Sequence, residues 1–109
     1  MDEQIAQDLM TTLRGTKVAP LVRVAWNDPV RIKRALDIGS YGLIIPWVNN
    51  REQALAAVKA CKYPPAGIRG VGPRRPTVVD PSYLETADEE LLTVVQIETA
   101  EAVEKIHEI

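Results

Sequence analysis

Leu92-Thr93-Val94-Val95-Gln96-Ile97-Glu98-Thr99 is the stretch on which the fold reading turns. It is an apolar, β-type run that acquires a glutamine and a carboxylate, two residues apart, at its end. In a strand, residues i and i+2 share a face, so Gln96 and Glu98 look one way and Val95 and Ile97 the other. A carboxylate ending a buried parallel strand is costly unless it is paired or metal-bound. In α/β folds that end of the sheet is also where chemistry sits. A plainer reading of Glu98 is that it marks the strand end and the start of the next helix.

Working outward, the chain alternates helical and extended patterns. Residues 2–14 carry Ile5, Ala6, Leu9, Met10 and Leu13 at helical spacing and stop at Gly15. Pro20 to Trp26 is an apolar run broken by Arg23. Asp28 and Pro29 form an N-cap and first helical position for a helix ending at Gly39. Tyr41 to Val48 reads as a second buried strand. Asn49 or Asn50 caps a helix over roughly 51–62. Tyr63-Pro64-Pro65 breaks it, and Gly67 to Gly72 reads as a glycine-loosened strand before a loop at 73–80. A short helix over 81–89 precedes the strand at 91–98, and Thr99 caps a last helix still running at Ile109. Four strands starting near 21, 42, 67 and 91, separated by helices, predict a parallel sheet with helices packed on it. A doubly wound sheet and part of a TIM barrel both fit this pattern.

Composition narrows the function classes. The 109 residues suffice for one small domain. A net charge of -2 without a basic block gives no reason to expect a nucleic-acid partner, and aromatics at 5% with no Phe make a base-stacking platform improbable. No apolar run approaches the length of a membrane span. The acidic, polar start is unlike a signal peptide, and the single Cys61 fits a reducing cytoplasm.

Polar residues at strand ends are the candidate site. Arg23, inside Leu21-Val22-Arg23-Val24-Ala25, needs an anion if its strand is buried: Glu98, a carboxylate ligand or a structural acid. Trp26 and Trp47 end two strands and either rim a pocket or pack. Gly67 to Gly72 is spaced G-x-x-G-x-G, neither a dinucleotide fingerprint nor a Walker loop. Arg69, Arg74 and Arg75 make a local basic cluster, for a substrate anion or for nearby acids. His107 reads as a surface residue and Cys61 as a core one, and without a Cys/His cluster no structural zinc is expected.

Val22-Arg23-Val24 with Trp26-Asn27-Asp28-Pro29, Leu36-Asp37-Ile38-Gly39, Ile45-Pro46, Tyr63-Pro64-Pro65-Ala66-Gly67-Ile68-Arg69-Gly70-Val71-Gly72 and Val95-Gln96-Ile97-Glu98-Thr99 together resemble the HpcH/HpaI aldolase family. The likeness runs in order over about residues 18–109. It implies a metal-dependent (class II) pyruvate aldolase: reversible cleavage of a 4-hydroxy-2-oxo acid to pyruvate and an aldehyde, on a homo-oligomeric TIM barrel. By the same resemblance, Glu98 matches a ligand of the divalent metal (Mg, Mn or Co). Gln96 matches a residue lining the metal–pyruvate site. Arg23 matches the arginine that contacts pyruvate and its enolate, and Asp37 the acid paired with a catalytic histidine. That histidine lies upstream in an acid-Glu-His motif, and a second metal-ligand aspartate lies downstream; neither has a match here. The expectation is therefore a single partial barrel domain over residues 1–109, about strands three to six, incomplete as a catalyst. A self-associating non-enzymatic α/β fragment and a citrate-lyase-like acyl-CoA lyase are the alternatives.

Overall fold

The structure, a computed structural model, describes residues 2–72 and 75–109. Its order is α1 (Glu3–Thr11), β1 (Leu21–Arg23), α2 (Pro29–Asp37), β2 (Gly42–Ile45), α3 (Arg51–Cys61), α4 (Arg75–Val79), α5 (Tyr83–Glu90), β3 (Leu92–Val95) and α6 (Ala100–Glu104). Four helix starts are fixed by side-chain caps that take up amides the helix itself leaves unpaired. Asp2 accepts from Ile5 N at 2.8 Å, and Asp28 accepts from Val30 N at 2.9 Å and Arg31 N at 3.0 Å. Asn50 accepts from Gln53 N at 2.9 Å and Thr99 from Ala102 N at 3.0 Å. Gly39, at φ 104°, lets the chain leave α2 through the left-handed region that glycine tolerates. Ser40 then ties the turn down, its hydroxyl donating to Ala35 O.

The three strands form one parallel sheet in the order β1-β2-β3. Partners in register project to the same side of the sheet, which sorts the side chains into two faces. Val22, Leu43 and Thr93 face the helices, followed by Ile45 and Val95 one step on. Leu43 and Ile45 are fully buried there against Ile32, Ala35 and Leu36 of α2 and Ala54, Ala57 and Ala60 of α3. On the opposite face stand Leu21, Gly42 and Leu92, then Arg23, Ile44 and Val94. Among the described residues this face carries no helix: Leu21, Leu92, Val94 and Arg23 are all exposed. Gly42 is the one place on it that admits only glycine, since a Cβ would lie 2.4 Å from Leu92 O. The result is an open α/β arc, helices outside and a bare inner face, which is a section of a TIM barrel.

Three expectations are corrected. Gly67 to Gly72 is not a strand. Its amides are spent on the end of α3, with Gly67 N donating to Tyr63 O, Ile68 N to Lys59 O and Arg69 N to Lys62 O. Both edges of β2 are already taken, by β1 and β3. The sheet therefore holds three strands among the described residues, not four. The stretch read as a loop at 73–80 contains α4, although Pro73 and Arg74 lie outside the described residues. The last helix stops at Glu104 rather than running to Ile109.

Candidate functional site

The three strands deliver their successors to one end of the arc, and the site is built there. Beyond Val95 the backbone still pairs with β2: Gln96 N donates to Ile45 O at 2.9 Å and Val48 N to Gln96 O at 3.4 Å. Continuing the strand alternation from Val94 carries Gln96 and Glu98 to the bare face, the side of Arg23. Three of the four sequence-derived site residues thus share one face at the carboxyl end of the sheet.

Glu98 is held from the neighbouring strand. Its Oε1 accepts the Trp47 backbone N–H at 2.8 Å. Trp47 can offer that amide because it sits at φ 59°, a left-handed conformation that a bulky non-glycine residue rarely adopts. Such local strain persists only where surrounding contacts enforce it, and it concentrates at functional sites. The Trp47 ring stacks on Trp26, with centroids 6.3 Å apart and planes at 29°. Both residues remain about half exposed, at 46% and 53%. The sequence favoured packing for these two tryptophans; they pack on each other at the strand ends while staying half-exposed.

A polar lattice ties the three strand-end loops together. Asn49, buried, donates its backbone N–H to Gln53 Oε1 at 2.8 Å and accepts from the Thr99 hydroxyl at 2.5 Å. Asn27 Nδ2 donates to Gln53 O at 3.0 Å. The loops after β1, β2 and β3 are therefore one hydrogen-bonded unit. Sequence reading missed the Asn49–Thr99 and Trp47–Glu98 links because each joins residues about fifty positions apart.

The oxygen donors fit part of a divalent-cation site. Gln96 Oε1 is buried and has no hydrogen-bond partner among the described residues, an acceptor left without a donor. It lies two residues from a carboxylate held by a single amide. Hard divalent ions take such oxygens. Among the described residues no three His, Cys, Asp or Glu side chains gather closely enough to enclose a metal. Glu98 would supply one donor, with the Gln96 oxygen lining the site beside it, which is not a complete set.

Arg23 lacks the Glu98 partner that the sequence allowed, and Asp37 lies away from the other three residues. Arg23 is exposed on an edge strand and makes no ion pair with Glu98. An edge position removes the need for a buried counter-ion that the sequence argued for. Asp37 closes α2 near the amino ends of the strands, away from Glu98. There it pairs with Lys33 and accepts from Arg69 Nη2 at 2.8 Å.

Arg69 is the residue whose setting was least visible in advance. It is 2% exposed. Its Nη1 donates to Tyr83 Oη at 2.8 Å, and its guanidinium lies 4.5 Å and 5.3 Å from the Tyr63 and Tyr83 ring centroids. Burial is the strongest single influence and disfavours the charge, but the Asp37 hydrogen bond together with Tyr83 and Tyr63 outweighs it and leaves the guanidinium pKa above its ordinary value. Burial pushes the Tyr63 phenol up to about 12 and raises that of Tyr83. Of the basic cluster, Arg69 is therefore a core residue, Arg75 donates to Thr11 Oγ1 at 3.1 Å, and Arg74 is outside the described residues. Cys61 is buried and its thiol pKa raised by that burial, as suits a core cysteine. His107 is exposed beyond α6. A cavity of about 190 Å³ at the amino end, among Met10, Leu13, Tyr41, Val79 and Tyr83, includes none of Arg23, Gln96 or Glu98. No helix among the described residues is long and apolar enough to cross a membrane.

With the geometry in place, comparison with known proteins is direct. Residues 3–109 match the family model of HpcH/HpaI aldolase/citrate lyase. Over 94 residues the chain is 46% identical to a 4-hydroxy-2-oxo-heptane-1,7-dioate aldolase of Escherichia coli, covering 83% of this chain and 36% of that protein. The chain thus spans little more than a third of the relative's length. An HpcH/HpaI aldolase/citrate lyase family protein from Burkholderia cenocepacia J2315 superposes with a TM-score of 0.90 at 29% identity, over 99% of this chain and 46% of that one. The HpcH/HpaI aldolase from Desulfitobacterium hafniense DCB-2 gives 0.89 at 32% identity, over 100% and 44%. The chain belongs to the HpcH/HpaI aldolase/citrate lyase family, whose members are carbon–carbon lyases.

Proposed function

We propose that this chain contributes the pyruvate-binding part of a metal-dependent aldolase that reversibly cleaves a 4-hydroxy-2-oxo acid to pyruvate and an aldehyde. The observation that carries this reading is the set of Arg23, Gln96 and Glu98 on one face at the carboxyl end of the sheet, with Glu98 pinned by the Trp47 amide. Cleavage removes the proton from the 4-hydroxyl, breaks the C3–C4 bond, releases the aldehyde and leaves the electron pair as a pyruvate enolate, which is then protonated at C3. Arg23 has no acidic partner among the described residues, so its guanidinium is free to take the oxo-acid carboxylate and to face the enolate oxygen as charge develops. Glu98, with the Gln96 oxygen lining the site beside it, would hold a magnesium, manganese or cobalt ion, which supplies Lewis-acid polarisation of the keto oxygen. Trp47 N–H fixes the carboxylate's direction.

Among the described residues, the strand ends supply neither the proton-accepting base nor the remaining metal donors. Asp37, engaged by Lys33 and Arg69 at the other end, would meet a histidine only from additional polypeptide. The bare face and the two open sheet edges support self-association of the chain. Light scattering on a sizing column checks this directly, and a sharp monomer peak counts against it.

Deuterium exchange into the pyruvate methyl group, followed by NMR with and without manganese or magnesium, tests the enolisation. Metal-dependent exchange that falls by about 100-fold in Glu98→Gln supports the reading. A folded chain that leaves the methyl protons untouched needs the absent base, and is then a scaffold rather than a catalyst.

A further inference from the structure

Asn49 is a buried polar residue that the proposed chemistry leaves unused. It is 7% exposed, and a buried amide is costly unless hydrogen-bonded. The neighbouring Asn50 already caps α3, accepting from Gln53 N at 2.9 Å, so helix capping does not account for Asn49. Its side chain bonds to the next strand end instead. Asn49 Oδ1 accepts from Thr99 Oγ1 at 2.5 Å, while Asn49 N donates to Gln53 Oε1 at 2.8 Å. Thr99 directly follows Glu98, and Asn49 stands two residues after Trp47, whose N–H donates to Glu98 Oε1 at 2.8 Å. Residues 47–49 are thus stitched to residues 96–99 by Val48 N to Gln96 O, Trp47 N to Glu98 Oε1 and Thr99 Oγ1 to Asn49 Oδ1. The first of these bonds is long, at 3.4 Å. The last is short and joins two residues that are each fixed from their own side, Asn49 by Gln53 and Thr99 by Ala102 N at 3.0 Å.

We propose that Asn49 is a positioning residue for the Glu98 carboxylate, acting through Thr99 on one side and Trp47 on the other. This rests on the aldolase reading of the same site. A carboxylate that is to hold a cation binds best when its direction is set beforehand, because binding then spends nothing on ordering it. Glu98 takes its direction from the Trp47 amide, and that amide sits at φ 59°, a conformation that persists only where neighbours enforce it. Asn49 is such a neighbour: buried, two residues on, and tied to both α3 and Thr99. Losing its side chain unties residues 47–49 from Thr99 and lets the Trp47 N–H leave Glu98, while every group that touches metal or substrate stays in the chain.

The test uses the full 109-residue chain and manganese alone, with the free ion followed by electron paramagnetic resonance. In the metal-free chain, hydrogen exchange at the Trp47 amide is followed by NMR. Asn49→Ala is expected to weaken manganese binding about tenfold and to speed the Trp47 exchange by about the same factor. Thr99→Val should match it, whereas Thr99→Ser, which keeps the hydroxyl, should stay within about twofold of the unaltered chain. Ser40→Ala removes a different buried hydrogen bond, to Ala35 O at the opposite end of the sheet, and should move neither reading. If Asn49→Ala does not fold, the two Thr99 variants decide the matter in the same way. Unchanged manganese binding or unchanged Trp47 exchange in Asn49→Ala, with Glu98→Gln still weakening the metal, overturns this inference and leaves the aldolase reading intact. A chain that binds no manganese, or binds it equally well as Glu98→Gln, overturns the metal-dependent aldolase reading, and this inference with it.

Discussion

Arg23 and Arg69 make the most instructive pair in the molecule, because each has the setting the sequence suggested for the other. Arg23, within an apolar run, is exposed on the bare face of an edge strand. Arg69, in a glycine-loosened and arginine-rich stretch, is sealed between Tyr63 and Tyr83 with Asp37 as counter-ion. An apolar neighbourhood in sequence marks burial only if the strand is covered on both faces. A glycine-rich neighbourhood marks a loop, and a loop that folds back on a helix end can place one side chain in the core. Arg69 is thus a structural charge and Arg23 an available one.

The sharpest way to break this contrast is to strip Arg69 of its counter-ion. Asp37→Ala leaves a fully buried guanidinium with Tyr83 as its remaining hydrogen-bond partner. The expected loss is about 4 kcal/mol, within the range for breaking a buried pair. That is a large share of the stability of an ordinary domain, typically about 5–15 kcal/mol. The urea midpoint measures it. Arg69→Met should cost less, about 3 kcal/mol, because Lys33 still faces Asp37 and the methionine fills part of the cage. Equal tolerance of both changes would show that the cage does not hold the fold.

A smaller effect comes from Tyr63, whose hydroxyl is buried without a partner among the described residues. Its phenol pKa is raised from 10.0 to about 12, so the fold favours the neutral form. The stability this contributes is complete below pH 10 and is lost as pH rises from there toward about 12. Tyr63→Phe removes an unsatisfied oxygen and should change neutral-pH stability by no more than about 1 kcal/mol. It should also shallow the alkaline fall in the urea midpoint, which a pH series from 8 to about 11.5 resolves. An unchanged alkaline slope would mean that other groups, Tyr83 and Cys61 among them, carry it.

The smallest expected stability change is that of Arg23→Ala, within about 0.5 kcal/mol, since an exposed side chain without an ion pair has little to lose. Its effect belongs to ligand binding instead. Methyl exchange of pyruvate should drop by about 100-fold in Arg23→Ala while the urea midpoint holds. The reverse pattern, a destabilised chain with unchanged exchange, would exchange the roles of the two arginines.

Much of the architecture is local and was legible. The caps Asp28, Asn50 and Thr99, the stop at Gly39 and the apolar runs at β1, β2 and β3 follow from short-range rules, and each appears where those rules put it. The alternating pattern made the sheet parallel. The face shared by Gln96 and Glu98 follows from the two-residue period of a strand. The family words, spread in order along the chain, pointed to the same barrel.

Other features were not legible, for one physical reason: they depend on which distant groups compete for the same hydrogen bonds and the same cover. Gly67 to Gly72 has the composition of a weak strand, but its amides find α3 carbonyls before any strand edge. Arg23 could not be known to be exposed until the sheet order made β1 an edge with one face bare. The anchoring of Glu98 needed Trp47, fifty-one residues earlier, in a left-handed conformation that no propensity favours. The sequence by itself determined the starts of α2, α3 and α6 and the three parallel strands, because backbone capping and side-chain alternation act over a few residues. Tertiary structure alone decided which charge is buried, which face is open and how the two tryptophans meet, because burial and pairing are set by whichever distant segment arrives.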